Sequence, residues 1–412
     1  MGTFLQQQVL GTKNVTGIYA LEPMSHLQTA NKYPDMAGLV AIQQFALLNQ
    51  ISLVSTSPGQ SPYTGNSYPI NTSYTAGSLP NGVAEPLVPC PACQGLEFSD
   101  DKGNNIALAT RIVKANVPGF HVFSAPWETT SALLANINKA NGYNLNLPTT
   151  YMGPNYVYAI SISPFGLANL VTYNSNLNPP STYPVLSSPP LAGTPCTAQT
   201  SFSITATGGV NGVVIPSGSN TNQTLYMIRH AEAHPVSSWD DGNFVGAGQW
   251  RALGLPNALR GKISPNQVYS IDPAQVYPGA IATPGNSNWS YIRPSLTVAP
   301  YVIANNLPYY LVADFELFAS NSPQLTSDFF FKGGKFSNQT VLLAWEHAHF
   351  PPIVTALLAS YKYSGPAVPQ WPSADYDTIW TVRLDATGNL TVNNALCEGI
   401  DSASLPATPP PF

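Results

Sequence analysis

Between residues 223 and 400 short apolar runs alternate with stretches of helical spacing, and this order constrains the fold more than any other feature of the chain. "TLYMIRH", "QVYSI" and "QTVLLAWEH" are compact apolar runs, the mark of strands buried on both faces. "GAGQWRALGLPNALRG" carries apolar residues at helical spacing and ends at a Gly; "RPSLTVAPYVIANN" reads as a helix broken by Pro300, and "PPIVTALLASYKY" as a helix opened by proline. "YDTIWTVRL" and "NLTVNN" read as terminal strands. Strands alternating with helices predict an α/β fold, a mostly parallel sheet flanked by helices on both faces. In such sheets ligands bind just beyond the carboxyl ends of the strands. Arg229-His230 and Glu346-His347 both stand at such ends, so two remote stretches are expected to meet over one pocket.

A boundary precedes this region. Gly, Ser and Asn dominate residues 205–224, and a chain of 412 residues is long for one domain. The sequence therefore divides into an N-terminal domain over 1–200, a linker over 201–222 and a second domain over 223–412. Arg229, Arg251, Arg260, Arg293 and Arg383 follow the boundary and only Arg111 precedes it. Arg grips a phosphate through paired hydrogen bonds, so its placement points to an anionic ligand in the second domain.

Composition sets the surroundings. With 44% hydrophobic and 8% charged residues the chain lacks the signature of disorder. A net charge of −5 offers no basic footprint for nucleic acid or an anionic membrane, and neither partner is expected. No apolar run approaches the ~20 residues of a membrane-spanning helix, and "MGTFLQQQVLGTKN" lacks the basic start and apolar centre of a signal peptide. Four Cys, Cys90, Cys93, Cys196 and Cys397, in a Lys-poor chain suit an oxidising compartment and two disulfides whose pairing stays open. "CPAC" finds no second Cys or His pair to complete a zinc site, and Pro86, Pro89 and Pro91 place it in a loop rather than a redox turn. Sequons at Asn14, Asn71, Asn222, Asn288, Asn338 and Asn389 carry meaning only in a glycosylating host.

The charged motifs resemble those of the histidine phosphatase superfamily, the phosphoglycerate mutase-like fold. "LYMIRHAEA" is similar to the family's opening strand ending in Arg-His, followed by a small residue and Glu; here these are Arg229, His230, Ala231 and Glu232. "GAGQWRALGL" resembles the following helix, "SYIRPSLTVAPYVI" supplies the second phosphate-binding Arg as Arg293, and "VLLAWEH" ends in the second His, His347. "YDTIWTVRLD" is similar to the strand that closes many of these domains, so the resemblance covers residues 222–400 in the family's order. The usual pattern places the second Arg soon after its strand, whereas "DPAQVYPGAIATPGNSNWSY" intervenes here. A subset of the superfamily has such a loop with a "SYxRP" Arg and a "WEH" His.

The resemblance implies that His230 is a nucleophile attacking a phosphomonoester in line, and that Arg229, Arg293 and His347 form the phosphate pocket. A carboxylate must protonate the leaving alcohol; Glu346 is the first choice, with Glu232 and Glu316 behind it. No metal and no cofactor are required. Taken singly, His230 and His347 read as satisfied histidines, and the order of the centres carries the chemistry. His234 and His349 lie near them as bystanders, and Asp240 and Asp241 in "SWDDGN" read as turn residues.

The N-terminal half carries fainter echoes. "GIYALEPMSHLQTANKYP" is similar to the second-Arg segment with His26 near the place of the Arg, and "FHVFSAPWETTSALLANI" to the second-His segment with Trp127 in place of the His. Tyr156 follows Trp127 by 29 residues, as Tyr376 follows His347 (156 − 127 = 376 − 347). A degenerate copy of the fold that has lost its chemistry and an unrelated α/β or β-rich domain both remain open. The expected function is phosphomonoester hydrolysis on a small phosphorylated substrate, through a phosphohistidine, by a secreted or extracellular protein. The alternative is a non-catalytic structural or binding protein, a homo-oligomer or filament of the cell surface, that retains the fold.

Overall fold

The computed structural model describes residues 1–11, 15–21, 23, 27–28, 33–34, 36–49, 70–72, 113, 119–178, 196, 199–235, 240–271, 273, 291–312 and 323–410. His26, Glu316, Cys90 and Cys93 lie outside the described residues. In the N-terminal half β1 (Gly17–Ala20) is followed by the short antiparallel pair β2 (Leu27–Gln28) and β3 (Tyr33–Pro34) and by a helix over Ala37–Leu48. β4 (Ile70–Thr72) and β5 (His121–Ser124) flank β1, both parallel to it. A helix over Trp127–Ala140 then leads to an antiparallel hairpin of β6 (Tyr156–Ile162) and β7 (Ala168–Asn174).

The C-terminal half is built on one seven-stranded sheet in the order β11-β10-β12-β9-β13-β14-β8. Its strands are β8 (Ser203–Ala206), β9 (Gln223–Arg229), β10 (Gln267–Ile271), β11 (Tyr309–Val312), β12 (Thr340–Trp345), β13 (Thr378–Leu384) and β14 (Leu390–Cys397). The first four in spatial order run parallel and the last three pair antiparallel, so the sheet is mixed rather than mostly parallel. The parallel run ends at β13, which pairs antiparallel with β9; β13 and β14 are then joined by a tight turn in which Asp385 Oδ1 accepts from the Thr387 and Asn389 backbone N–H groups, and a short turn can join only antiparallel neighbours. β8 lies within the stretch read as a linker and pairs with β14, so the expected boundary begins inside the sheet.

Alternation along the strands explains why both faces are covered. Leu225 and Met227 of β9, with Val341, Leu343 and Trp345 of β12, pack under Ile353, Val354 and Leu357 of the helix Phe350–Ser360. Ile228, Leu342 and Ala344 face the opposite way, toward Ala252 and Leu255 of the helix Gly246–Ala258 and Leu296 and Val298 of the helix Arg293–Asn305. Each fully buried aliphatic or aromatic side chain contributes about 1.5–3 kcal/mol. Pro300 does not break its helix, which runs through it to Asn305. The ring sacrifices one backbone hydrogen bond, but Leu296, Val298, Ala299 and Tyr301 around it are buried and hold the turn. Leu39, Ile42 and Phe45 from the N-terminal half join the same cluster, and Gln44 Nε2 donates to Pro410 O.

The two halves share a local order. Leaving aside the β2–β3 pair in the first and the helix Pro323–Phe331 between β11 and β12 in the second, the described elements β1, a helix, β4, β5, a helix and the β6–β7 hairpin follow one another as β10, a helix, β11, β12, a helix and the β13–β14 hairpin do. The first strand of each series lies between the second and third, all parallel. Among the described residues no strand occupies in the first series the place that β9 takes between β12 and β13.

Candidate active site

The parallel pairing of β9 and β12 brings the two charged motifs together. Arg229 stands opposite Trp345 in register, so Arg229-His230 and Glu346-His347 leave the sheet side by side, and the His230 N–H donates to Trp345 O at 2.8 Å. A third element is tied in by the helix that begins at Arg293. Its Thr297 hydroxyl accepts from the Ala231 N–H at 2.8 Å and donates to Arg293 O at 2.8 Å. Three segments distant in sequence therefore meet through hydrogen bonds, one backbone to backbone and one backbone to side chain, and Arg229, His230, Arg293 and Glu346 are all nearly buried.

His230 is held as a neutral imidazole. Its Nδ1 lies 2.7 Å from Ala231 O, and a carbonyl only accepts, so the proton sits on Nδ1 and the Nε2 lone pair is left free. Burial lowers the pKa of His230 well below the ordinary imidazole value, and the charges of Arg293 and Arg229 push the same way. Burial also lowers His347, to about 4, aided by Arg229 and opposed by Glu346. His349, which stacks on Trp345 with ring centroids 4.5 Å apart, is lowered by burial as well.

Each Arg is fixed by its own scaffold. Arg229 Nη1 donates to Ser373 O and, at 3.3 Å, to Asp375 O, while its guanidinium lies 3.8 Å from the centroid of the Tyr376 ring. Its Nε is buried without a hydrogen-bond partner, as is Nδ1 of His347. A buried nitrogen of this kind is costly to leave unpaired. Arg293 Nη1 reaches Asp240 Oδ1 at 2.5 Å and Asn243 O at 3.2 Å. Burial opposes the charge on Arg293, but Asp240 and Tyr291 outweigh it and keep the group charged. Tyr291 and Tyr376 stand edge-on to the His230 ring, at 6.0 and 6.1 Å between centroids.

Of the carboxylates, Glu346 is at the centre. Its Oε2 accepts from Tyr291 Oη at 3.0 Å and its Oε1 lies 3.6 Å from His347 Nδ1. Glu232 is engaged elsewhere: Oε1 is 2.8 Å from both Nε and Nη2 of Arg251 and from Ser402 Oγ. Asp240 is both the turn residue expected, accepting from the Gly242 N–H at 3.0 Å, and the counter-ion of Arg293. Sequence reasoning did not single out Tyr291 or Thr297. Tyr291 lies two residues before Arg293 in the quoted "SYIRP", the only signal that could have marked it. The cluster can bind a phosphate-sized anion between two guanidiniums and an imidazole and present a neutral nitrogen nucleophile to it.

No protein-family model matches the chain, and no curated protein matches it. Solved structures do. A protein histidine phosphatase SixA complexed with tungstate is 19% identical, with a TM-score of 0.27, over 42% of this chain and 97% of its own. A putative phosphohistidine phosphatase SixA from Nakamurella multipartitia is 17% identical, with a TM-score of 0.26, over 47% and 94%. A putative α-ribazole-5'-P phosphatase from Escherichia coli is 12% identical, with a TM-score of 0.24, over 44% and 99%. Scores this low decide nothing about the chemistry of this chain, which rests on the geometry above.

Proposed function

We propose that the C-terminal half hydrolyses a small phosphomonoester through a phosphohistidine at His230. The observation that carries this reading is the Nδ1 contact with Ala231 O, which frees Nε2 of a buried neutral imidazole between Arg229 and Arg293. Nε2 attacks phosphorus in line, the N–P bond forms as the P–O bond to the alcohol breaks, and the two guanidiniums hold the equatorial oxygens. Glu346 delivers the proton to the leaving alkoxide, then takes one from the water that attacks phosphorus and breaks the N–P bond. His347 positions a phosphoryl oxygen as a neutral hydrogen-bonding group. A chain with only 8% charged residues suits a moderately charged substrate better than a polyanion.

The test is phosphate release from a generic aryl phosphate by the intact protein and by His230→Ala. The variant is expected to lose about a thousandfold or more in kcat. An acid-labile, base-stable phosphoryl adduct should be trapped on the intact protein alone. No release by either protein, with no adduct, refutes the reading. We also infer residence in an oxidising compartment or outside the cell, supported by the disulfide between Cys196 and Cys397. Finding free thiols at both positions in protein isolated from its host would count against that. The shared strand order supports reading residues 1–200 as a degenerate, non-catalytic copy of the second half.

A further inference from the structure

The β6–β7 hairpin is exposed in an unusual way. Neither strand has a fully buried residue, and two strands alone are marginal in water. Phe165 at its turn is 90% exposed and Leu167 is 72% exposed, with Ile162, Val171 and Leu177 also open to solvent. Proteins usually blunt such edges with Lys, Pro or a bulge. Here the pairing from Tyr156↔Asn174 to Ile162↔Ala168 is unbroken, and no Asp, Glu, Lys, Arg or His occurs between Lys139 and Arg229.

We propose that the outer edge of β7 pairs with β7 of a second copy of this chain about a two-fold axis at Val171, merging two hairpins into a four-stranded sheet. The parity of the hairpin's own bonds shows which groups are available. Ser163 N–H donates to Leu167 O and Ser175 N–H to Asn155 O, so Asn169, Val171 and Tyr173 bond inward to β6. Ala168, Leu170, Thr172 and Asn174 then direct N–H and C=O outward. An axis at Val171 sets Leu170 opposite Thr172 and Ala168 opposite Asn174 of the second copy, so every outward donor meets an outward acceptor. It also carries Phe165 toward Leu177 of the second copy, bringing two exposed apolar groups together. The occupant follows from charge: an edge without a single charge matches a strand equally uncharged, since a charged strand would leave its charges desolvated and unpaired. The same edge of a second copy meets that condition and is self-complementary. This surface lies apart from the phosphate pocket and does not depend on how that pocket works.

The experiment is the mass of the whole protein by sedimentation or light scattering from about 1 to about 100 µM, for the wild type, Thr172→Pro and Val171→Lys. Thr172→Pro removes only an outward N–H and leaves the hairpin's ladder intact, while Val171→Lys sets like charges on the axis. The wild type should double in mass with concentration and both variants should stay monomeric. Hydrogen exchange guards against misfolding: in the wild type the Leu170 and Thr172 amides should slow as concentration rises, while Val171 and Tyr173 stay protected throughout and in Thr172→Pro. A wild type monomeric at the highest concentration, a Thr172→Pro protein as dimeric as the wild type, or concentration-independent exchange at Leu170 and Thr172 overturns the proposal.

Discussion

His230 and His347 both lose proton affinity on folding, His230 through burial and the neighbouring Arg293 and Arg229, and His347 to about 4 through burial and Arg229. Activity should therefore persist as pH falls from 7 toward 5, with the acid limb well below the ordinary imidazole value; a single-turnover pH profile that breaks near 6.5 contradicts this. Stability runs the other way. A folded-state pKa below that of the unfolded chain costs nothing above about pH 6.5, and stability is lost as pH falls below it, because only the unfolded state takes up the proton. Asp240 is the most informative single change. Asp240→Asn keeps the turn but removes the counter-ion of Arg293. A loss of about 10- to 100-fold in kcat/KM is expected, mostly in KM, since charge-assisted hydrogen bonds of this kind contribute about 1.5–3 kcal/mol. Steady-state kinetics with an aryl phosphate measure it. Arg229, His230, Arg293, Glu346 and His347 were legible in the sequence because charge is scarce and these residues end strands or begin a helix. Asp240 as counter-ion, Thr297 as tether and Tyr376 as platform were not, because each acts on a partner 53 or more residues away and resembles any other turn or helix residue.

At the scale of elements, the strands and helices of the second half were readable from apolar runs and spacing, as was the parallel run of β9 to β12; the antiparallel flank of β13, β14 and β8 was not. Helices return β10, β11 and β12 parallel to β9, but β13, which also follows a helix, pairs antiparallel with β9, and the turn at Asp385 reverses the chain again into β14. Pro300 shows packing overriding a local rule. Gly248 marks a tight seam beside the first motif. A Cβ built there would lie 2.9 Å from Glu232 O and 2.6 Å from Phe244 Cβ, so the helix Gly246–Ala258 presses directly on the backbone that follows His230. Gly248→Ala should cost about 1–3 kcal/mol of stability, read by urea unfolding, and reduce phosphate release by shifting the first motif. A fully active, fully stable variant would mean that the seam can open without moving His230.

The whole molecule is held by features that bridge its parts. Arg251, fully buried, binds Glu232 at 2.8 Å and Glu398 at 2.6 Å, linking the first motif to the end of the chain's last strand. Arg251→Ala leaves two carboxylates buried without their partner and should cost about 3–5 kcal/mol, measured by chemical unfolding. The disulfide between Cys196 and Cys397 closes a loop of 201 residues, for which chain-entropy reasoning gives roughly 5 kcal/mol. Reduction without other change should lower the unfolding midpoint accordingly. The same bond has a mechanical meaning. Every strand of the seven-stranded sheet and every residue of the phosphate pocket lies between the two cysteines, so tension entering the chain before Cys196 and leaving after Cys397 passes through sulfur. A pull along this protein would load the N-terminal half and the C-terminal tail while the pocket stayed slack.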